Sequence, residues 1–376
     1  MKKELESRLL DSCSRTVLDP SEQKVLSFAL SRDGITQAQL DSFLSDWDIE
    51  KAPIFSVMLL AYATARREDL VLPPRVGPRL KGVLQFCRFQ NLKKEAHFSK
   101  VAKALGLAGI PALILKGGAM KVYRPDFPRW MNDIDFLVPA ADYERAVSIA
   151  RDLGYGDPMV TDHSVDLRIP GSGEGLLDIH RQLELGTGKE NALNEVLFHR
   201  AWKRKIFSAD GLLPCPEDMV FIALVNFYKN MERRQTPESS ATTFFDIRFL
   251  VESTPSFRWE IVRDNARLTG TGFQLALASR VVSAYLEDLI PEDLWLPAPG
   301  RERAYRNFID AFFFHRDVLS TARDSFAETR VGASLKSDYN IFSRTWALVV
   351  KGIKPIVKMP VFMRLALRMR YKKMDL

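Results

Sequence analysis

The feature that most constrains this chain is a change of hydrophobic period between about residues 110 and 180. On either side of this window, apolar residues recur at the three- to four-residue spacing of helices, whereas inside it they form short runs or alternate with polar residues, as in strands. The strand-like segments are 111–115, 133–138, 165–169 and 176–180. The pattern predicts an α+β fold, with a small mixed sheet between two helical parts of the chain.

The same change of pattern divides the chain into four parts. We predict a helical N-terminal region over 1–107, an α/β core over 108–185, a helical C-terminal domain over 186–345 and a basic amphipathic tail over 346–376. Within the core, the turn-rich segment 170–175 joins the third and fourth strand-like segments and indicates a β-hairpin. The chain of 376 residues is long enough for two domains of ordinary size.

Charge and cysteine content narrow the functional class. The formal net charge of +7 favours a polyanionic partner, such as nucleotide phosphates, nucleic acid or an anionic membrane surface. The three cysteines form no CxxC pair, which argues against a disulfide framework or a cysteine-rich zinc site. We expect a cytoplasmic location, because charges interrupt the N-terminus and no run approaches the roughly 18 apolar residues of a membrane span.

The strongest chemical signal is Asp133-Ile134-Asp135, at the start of a predicted strand. Residues i and i+2 of a strand point to the same face, so both carboxylates converge while Ile134 faces the core. Asp178 lies on the second arm of the hairpin with an apolar residue on either side. Three carboxylates on neighbouring strands suit a two-metal site for phosphoryl transfer, in which Asp178 would also be the general base. A solvated strand end is the alternative for an isolated Asp-x-Asp pair.

A second signal is Lys116-Gly117-Gly118, which ends an apolar run and opens a predicted helix. Paired glycines let the backbone approach a phosphate closely, and the helix N-terminus offers unpaired N–H groups and a positive dipole end. Lys116 adds a positive charge. An ordinary tight turn from strand to helix is the alternative interpretation.

Together these motifs resemble a known family. The run LKGGAMKVYRPDFPRWMNDIDFLVPAADYERAVSIARDLGY, followed by LLDIHRQL, looks like the uncharacterised nucleotidyltransferase family of the polymerase-beta-like superfamily. The motif positions of that family fall on Lys116-Gly117, Arg129, Asp133-Ile134-Asp135, Gly154-Tyr155 and Asp178-Ile179-His180. The resemblance covers about residues 90–260. It implies transfer of a nucleoside monophosphate from an NTP to an acceptor, with two Mg²⁺ ions, or Mn²⁺, and release of pyrophosphate.

The resemblance also implies roles for single residues. The three aspartates would hold the metal ions, and the turn 116–118 would hold the triphosphate. Gly118 stands where many relatives in the superfamily have serine, so one side-chain contact with a phosphate would be missing. Lys229, in a segment where relatives often carry histidine, would reach the triphosphate. Asp246 matches a helix of the family and is interpreted as structural.

Arg129, His180 and His163 allow more than one interpretation. Arg129, four residues before Asp133, would clamp a phosphate or order its loop, or it is a surface arginine. His180 shares a face with Asp178 and would orient it or touch substrate, and a structural histidine is equally compatible. For His163, which precedes the hairpin, we favour a position away from the site.

Residues 350–376 combine eight basic residues with one acidic residue and many apolar ones. Such a segment is typical of a membrane-surface helix or a polyanion-binding tail. A terminal helix packed on its domain is the alternative. We therefore expect a cytoplasmic protein, with peripheral membrane or polyanion contact through this segment as an option.

The leading hypothesis is an Mg²⁺-dependent nucleotidyltransferase with an NTP as donor and a hydroxyl-bearing small molecule, peptide or protein as acceptor. A nucleic-acid acceptor is less favoured. One alternative is a catalytically silent nucleotide- or partner-binding module of the same fold, which the presence of all three carboxylates argues against. The other is an RNA-modifying or toxin-type nucleotidyltransferase, with the basic tail as an RNA contact.

Overall fold

The fold is built around one mixed sheet, which has seven strands within the part of the chain that the structure describes. The computed structural model describes residues 30, 35–46, 55–169, 175–185, 189–233, 238–283, 285–286 and 289–295. All of them fall within one compact unit, Met1–Leu296. The predicted tail 346–376 and the predicted C-terminal domain beyond residue 295 lie outside the described residues.

The strands are β1 (Leu113–Ile114), β2 (Ile134–Leu137), β3 (Gly156–Val160), β4 (Ser164–Arg168), β5 (Gly175–His180), β6 (Trp202–Ile206) and β7 (Ala209–Leu213). Their order across the sheet is β3-β4-β5-β2-β1-β7-β6. The pairs β2/β5 and β1/β7 are parallel, and the other neighbours are antiparallel. The predicted α+β class, the mixed sheet and the β4–β5 hairpin are therefore confirmed.

The described helices are α1 (Gln37–Asp46), α2 (Phe55–Arg67), α3 (Gly77–Leu107), α4 (Lys116–Tyr123), α5 (Tyr143–Asp152), α6 (Glu190–Arg200), α7 (Pro216–Arg233), α8 (Glu238–Glu252), α9 (Trp259–Thr269), α10 (Gly272–Ser283) and α11 (Glu292–Trp295). The longest, α3, buries a residue every three or four positions from Leu80 to Leu105, as one stripe of a helix requires. Phe98 in this stripe is fully buried and packs edge-to-face on Phe136 of β2. The helix α3 therefore covers one face of the sheet.

The sheet continues beyond residue 185, the predicted end of the α/β core. Strand β7 pairs in parallel with β1, with Leu113 opposite Leu212, and so joins the centre of the same sheet. No strand was predicted there, because β6 is exposed from Trp202 to Lys205 and lacks an apolar run. The predicted boundary at residue 185 therefore leaves two strands of this sheet outside the core.

The register of the central strands determines which side chains meet on the face opposite α3. Asp135 of β2 lies opposite Asp178 of β5, and Asp178 lies opposite Asp166 of β4. Because paired residues of neighbouring strands point to the same side, the three carboxylates form a row across the sheet. Ile134 and Ile179, which alternate with them, are fully buried on the other face. The row of carboxylates marks the face where a polar ligand would bind.

Candidate active site

Asp135, Asp178 and His180 form a close cluster on this face of the sheet. His180 Nε2 lies 2.9 Å from Asp135 Oδ1 and 3.1 Å from Asp178 Oδ2. The ligand atoms of the three side chains all lie within 4.8 Å of one another, and no other group of His, Cys, Asp and Glu side chains in the described part of the chain meets this spacing. Burial alone would lower the pKa of the His180 imidazole, but hydrogen bonds to both carboxylates raise it above its ordinary value.

Asp133 lies directly before β2 and is half-buried. Burial, and then the negative charge of Asp135, raise the pKa of Asp133 to about 7, against the opposing effect of Lys116. Negative charge is therefore crowded at this point of the sheet. A cation bound here would relieve the repulsion between the carboxylates.

Lys116 is the positive charge that the chain itself supplies to this cluster. Its Nζ lies 2.5 Å from Asp135 Oδ1, and its side chain is 31% exposed. Burial alone would lower the pKa of the Lys116 ammonium, but the carboxylates of Asp135 and Asp133 raise it above its ordinary value. Burial would in turn raise the pKa of Asp135, whereas Lys116 and His180 hold it well below its usual range. Asp135 is therefore ionised and paired on two sides.

The turn into α4 brings Lys116 to this position. Lys116 has a φ of 45°, in the left-handed region that non-glycine residues seldom adopt. Its neighbour Leu115 is the N-cap of α4 and provides no side-chain hydrogen bond to the helix. The Leu115 N–H donates to the carbonyl of Asp135, so the start of α4 is tied to the strand that carries the carboxylates.

Gly117 and Gly118 allow α4 to pack closely at the same point. A Cβ atom at Gly118 would lie 2.8 Å from Cδ1 of Ile114 and 3.1 Å from Cγ2 of Ile134, closer than carbon atoms can approach. A Cβ atom at Gly117 would lie 3.2 Å from Met131 Cγ. A side chain at position 118 would therefore point into the sheet, which is a steric reason for glycine there. The predicted contact of both glycines with a phosphate remains a proposal.

Arg129 is largely buried and forms an ion pair, so the interpretation as a surface arginine is wrong. Its Nη1 lies 2.6 Å and 2.5 Å from the two carboxylate oxygens of Asp246 in α8, and its side chain is 14% exposed. Its carbonyl oxygen accepts a hydrogen bond from Asn91 Nδ2 of α3 at 2.7 Å. Burial raises the pKa of Asp246 to about 6, although Arg129 opposes the shift. Arg129 thus connects the loop before Asp133 to two helices, and its predicted phosphate contact remains a proposal.

Lys229 and His163 lie in a second polar group beside the cluster. Lys229 Nζ is 2.6 Å from Glu184 Oε2, and His163 Nε2 is 3.7 Å from the same oxygen. The His163 ring stacks on the His180 ring with 6.1 Å between centroids. His163 therefore does approach the site, in contrast to our interpretation of the sequence. Glu184 follows β5 in a segment without hydrophobic period, and no pattern singled it out.

Strand β4 adds two residues that the sequence analysis did not select. Asp166 extends the row of carboxylates, and Arg168 Nη2 lies 2.9 Å from its Oδ2 atom. The alternation of 165–169 does place both residues on the polar face of the strand, so the signal was present. Arg168 thus pairs with Asp166 as Lys116 pairs with Asp135, so two of the three carboxylates in the row have a basic partner.

Comparison with known proteins gives one family match and several similar structures. A family model described as "Uncharacterised nucleotidyltransferase" matches residues 56–287. The solution structure of the antibiotic-resistance factor ANT(2'')-Ia is similar at 15% identity and a TM-score of 0.34, over 48% of this chain and 92% of that one. The crystal structure of an antigenic nucleotidyltransferase-like protein from Paracoccidioides brasiliensis is similar at 15% identity and a TM-score of 0.32, over 49% and 91%. No curated protein is significantly similar to the chain. No helix in the described ranges is long and apolar enough to cross a membrane.

Proposed function

Since the chain belongs to the uncharacterised nucleotidyltransferase family and is an enzyme of nucleotidyl transfer, we propose that it moves a nucleoside monophosphate from an NTP to an acceptor hydroxyl with the help of Mg²⁺. The observation that carries the proposal is the register of β2 and β5, which sets Asp135 opposite Asp178 beside Lys116. The acceptor that we propose is a small molecule, a peptide or a protein, in keeping with the family resemblance.

The residues present fit a divalent ion. Asp178 Oδ1 is buried and has no hydrogen-bond partner among the described residues, although buried polar atoms normally have one. Carboxylate oxygens are the ligands that Mg²⁺ prefers, and Asp133, Asp135 and Asp178 would hold it. When bound, it would neutralise charge on the phosphate and acidify the acceptor hydroxyl.

Asp178 is the residue that we assign as the general base. Its Oδ2 atom lies 3.1 Å from His180 Nε2, which leaves Oδ1 as the oxygen without a partner among the described residues. A carboxylate held in this way would accept the proton of the acceptor hydroxyl once the ion has acidified that hydroxyl. His180 keeps the Asp178 side chain in position during that transfer.

Lys116 and the start of α4 are the residues that we assign to the triphosphate. The first N–H groups of a helix carry a partial positive charge, and α4 has no side-chain cap to occupy them. Gly117 and Gly118 lie in this first turn, and we assign their backbone N–H groups to the phosphates, with Gly117 on the less buried side of the turn. Arg129 lies beside this turn, since its Nε atom would be 3.3 Å from a Cβ atom at Gly117, and we assign it to the nucleotide as well. Lys229 would approach the triphosphate from α7.

Nucleotide binding and pyrophosphate release test the proposal separately. With Mg²⁺ present, calorimetry with each of the four NTPs should reveal binding of at least one, and Asp135→Asn should weaken it by a factor on the order of 100. Asp178→Asn should still bind the nucleotide but slow pyrophosphate release by roughly 10²–10⁴-fold. Asp210→Asn, at a carboxylate that is 93% exposed on β7, is the matched control. If the folded wild-type protein bound no NTP with Mg²⁺ or Mn²⁺, the proposed function would be wrong.

A further inference from the structure

We propose that His180 is itself a metal ligand, so that one ion of this site is bound by Asp135, Asp178 and His180 Nε2, and that the site binds Mn²⁺ more tightly than Mg²⁺. This inference rests on the proposed function, because it concerns an ion of the same site. The site described above has three carboxylate ligands, whereas here a nitrogen of His180 takes the place of one carboxylate oxygen. That difference changes which metal the site selects.

The spacing of the three side chains matches that of neighbouring ligands around one ion. With metal–ligand bonds of about 2.1 Å, two adjacent ligands of an octahedron lie √2 times further apart, or about 3.0 Å. The observed separations from His180 Nε2 are 2.9 Å to Asp135 Oδ1 and 3.1 Å to Asp178 Oδ2. Strands β2 and β5 thus hold the nitrogen at ligand spacing from each oxygen, and the ligand atoms of the two aspartates lie within 4.8 Å of each other.

Hydrogen bonding alone accounts poorly for this arrangement. Nε2 of an imidazole carries at most one proton, so the two carboxylate oxygens within hydrogen-bond distance of it can only share a single donor. The second oxygen of Asp178 and Nδ1 of His180 are both buried without a hydrogen-bond partner among the described residues. One divalent ion would be bonded by both carboxylates and by Nε2 at once, with the imidazole proton on Nδ1.

The position of His180 is fixed, as a metal ligand requires. Its side chain is 5% exposed and lies on a strand paired with β2 on one side and β4 on the other. The His163 ring stacks on the His180 ring, with 6.1 Å between the centroids. The imidazole can therefore present Nε2 to the two carboxylates without a change of rotamer.

The mixed ligand set predicts the metal. Mg²⁺ favours oxygen ligands throughout, whereas imidazole nitrogen favours first-row transition metals, and Mn²⁺ is the member of that series that also suits carboxylate oxygen. We therefore expect Mn²⁺ to bind the metal-free protein at least about tenfold more tightly than Mg²⁺ does. His180→Gln, which replaces the imidazole by an amide, should remove most of the preference for Mn²⁺ over Mg²⁺.

The decisive experiment is pulsed electron paramagnetic resonance on the full-length protein with one equivalent of Mn²⁺ and no nucleotide. A directly bound imidazole gives nitrogen modulation, and labelling the histidines of the wild-type protein with ¹⁵N should shift its frequency. The modulation should be lost in His180→Gln and retained in His163→Gln, the matched control. In calorimetry, His180→Gln should weaken Mn²⁺ binding about tenfold or more and change Mg²⁺ binding much less.

Each outcome bears on the proposal. Bound Mn²⁺ without nitrogen modulation in the wild-type protein, or no Mn²⁺ binding at all, would overturn it even if His180→Gln failed to fold. Equal losses for Mn²⁺ and Mg²⁺ would also overturn the preference. Nitrogen modulation without NTP binding would support the metal site and refute the proposed function. NTP binding by a protein whose Mn²⁺ ion has only oxygen ligands would support the proposed function and refute the role of His180 as a ligand.

Discussion

Replacement of Gly118 by alanine tests whether close packing of α4 on the sheet positions the site. The new Cβ would lie 2.8 Å and 2.9 Å from Cδ1 and Cγ1 of Ile114 and 3.1 Å from Cγ2 of Ile134. Carbon atoms prefer separations of about 3.5–4.0 Å, so three contacts would each be too short by roughly 0.5 Å or more. Both isoleucines are fully buried, and neither can turn into solvent to make room.

The size of the effect follows from two opposing terms. Overpacking of this kind costs about 1–3 kcal/mol, and the better helix propensity of alanine returns about 0.5–1 kcal/mol. We therefore expect Gly118→Ala to lower the free energy of unfolding by roughly 1–2 kcal/mol in urea denaturation. Gly82→Ala, in α3, is the control, because a Cβ atom there meets nothing within 4 Å. The same chemical change should stabilise the protein at that position by about 0.5–1 kcal/mol.

A double-mutant cycle isolates the contact. Ile114→Ala removes both atoms that lie closest to the new Cβ, so the double variant Gly118→Ala/Ile114→Ala should be more stable than the sum of the single losses predicts, by about 1 kcal/mol or more. Additive losses, or a Gly118→Ala variant as stable as Gly82→Ala, would refute the packing argument. The glycine would then have to be explained by its backbone alone.

Three further predictions concern charge. In metal-free protein, Lys116→Met should lower the free energy of unfolding by about 1–3 kcal/mol, less than the loss of a fully buried ion pair because the ammonium is 31% exposed. Mg²⁺ should stabilise this variant more than it stabilises the wild-type protein or the control Lys103→Met, at an exposed site. Equal urea midpoints for the two variants would contradict this prediction. Because burial raises the pKa of Asp246 to about 6, the folded protein binds more protons than the unfolded chain between about pH 4 and pH 6, and the free energy of unfolding should fall as the pH rises through that window. Asp246→Asn should flatten that slope in urea denaturation, and an unchanged slope would count against the shift. Arg200→Met should lower the free energy of unfolding by about 3–5 kcal/mol, because it leaves the fully buried carboxylate of Asp218 without its ion-pair partner. A loss below about 1 kcal/mol in urea denaturation would show that the fold does not need this ion pair.

Most of the fold could be predicted from the sequence, because a helix or strand that buries one face shows the apolar period of its type. The stripe of α3 and the hairpin of β4 and β5 follow directly from helical and strand periods. Strand β6 could not be predicted in this way, because four of its five residues are exposed and its place depends on pairing with β7. Strand β3 contains Pro158 and is an edge strand, where a missing N–H is tolerated.

The site was predictable to the extent that it depends on strand alternation. The period of two fixes the faces of Asp135, Asp178 and His180. The pairing of β2 with β5 has no signal in either strand, and we expected it because three carboxylates together suit a two-metal site. The pairing of Arg129 with Asp246 joins residues 117 positions apart and leaves no local pattern. Contacts of that kind arise from tertiary packing, which single-sequence periodicity does not encode.

The sheet order has a consequence for synthesis of the protein on the ribosome. Strand β1 lies between β2 and β7, and the β7 residue that pairs with Leu113 is Leu212, which is translated 99 residues later. At about 5–20 residues per second, the growing chain carries β1 with one open edge for roughly 5–20 s. During that interval the unpaired edge beside the carboxylate-bearing strand can pair with another nascent chain, so slow translation between β5 and β7 should increase aggregation, and chaperone binding should concentrate in the same interval.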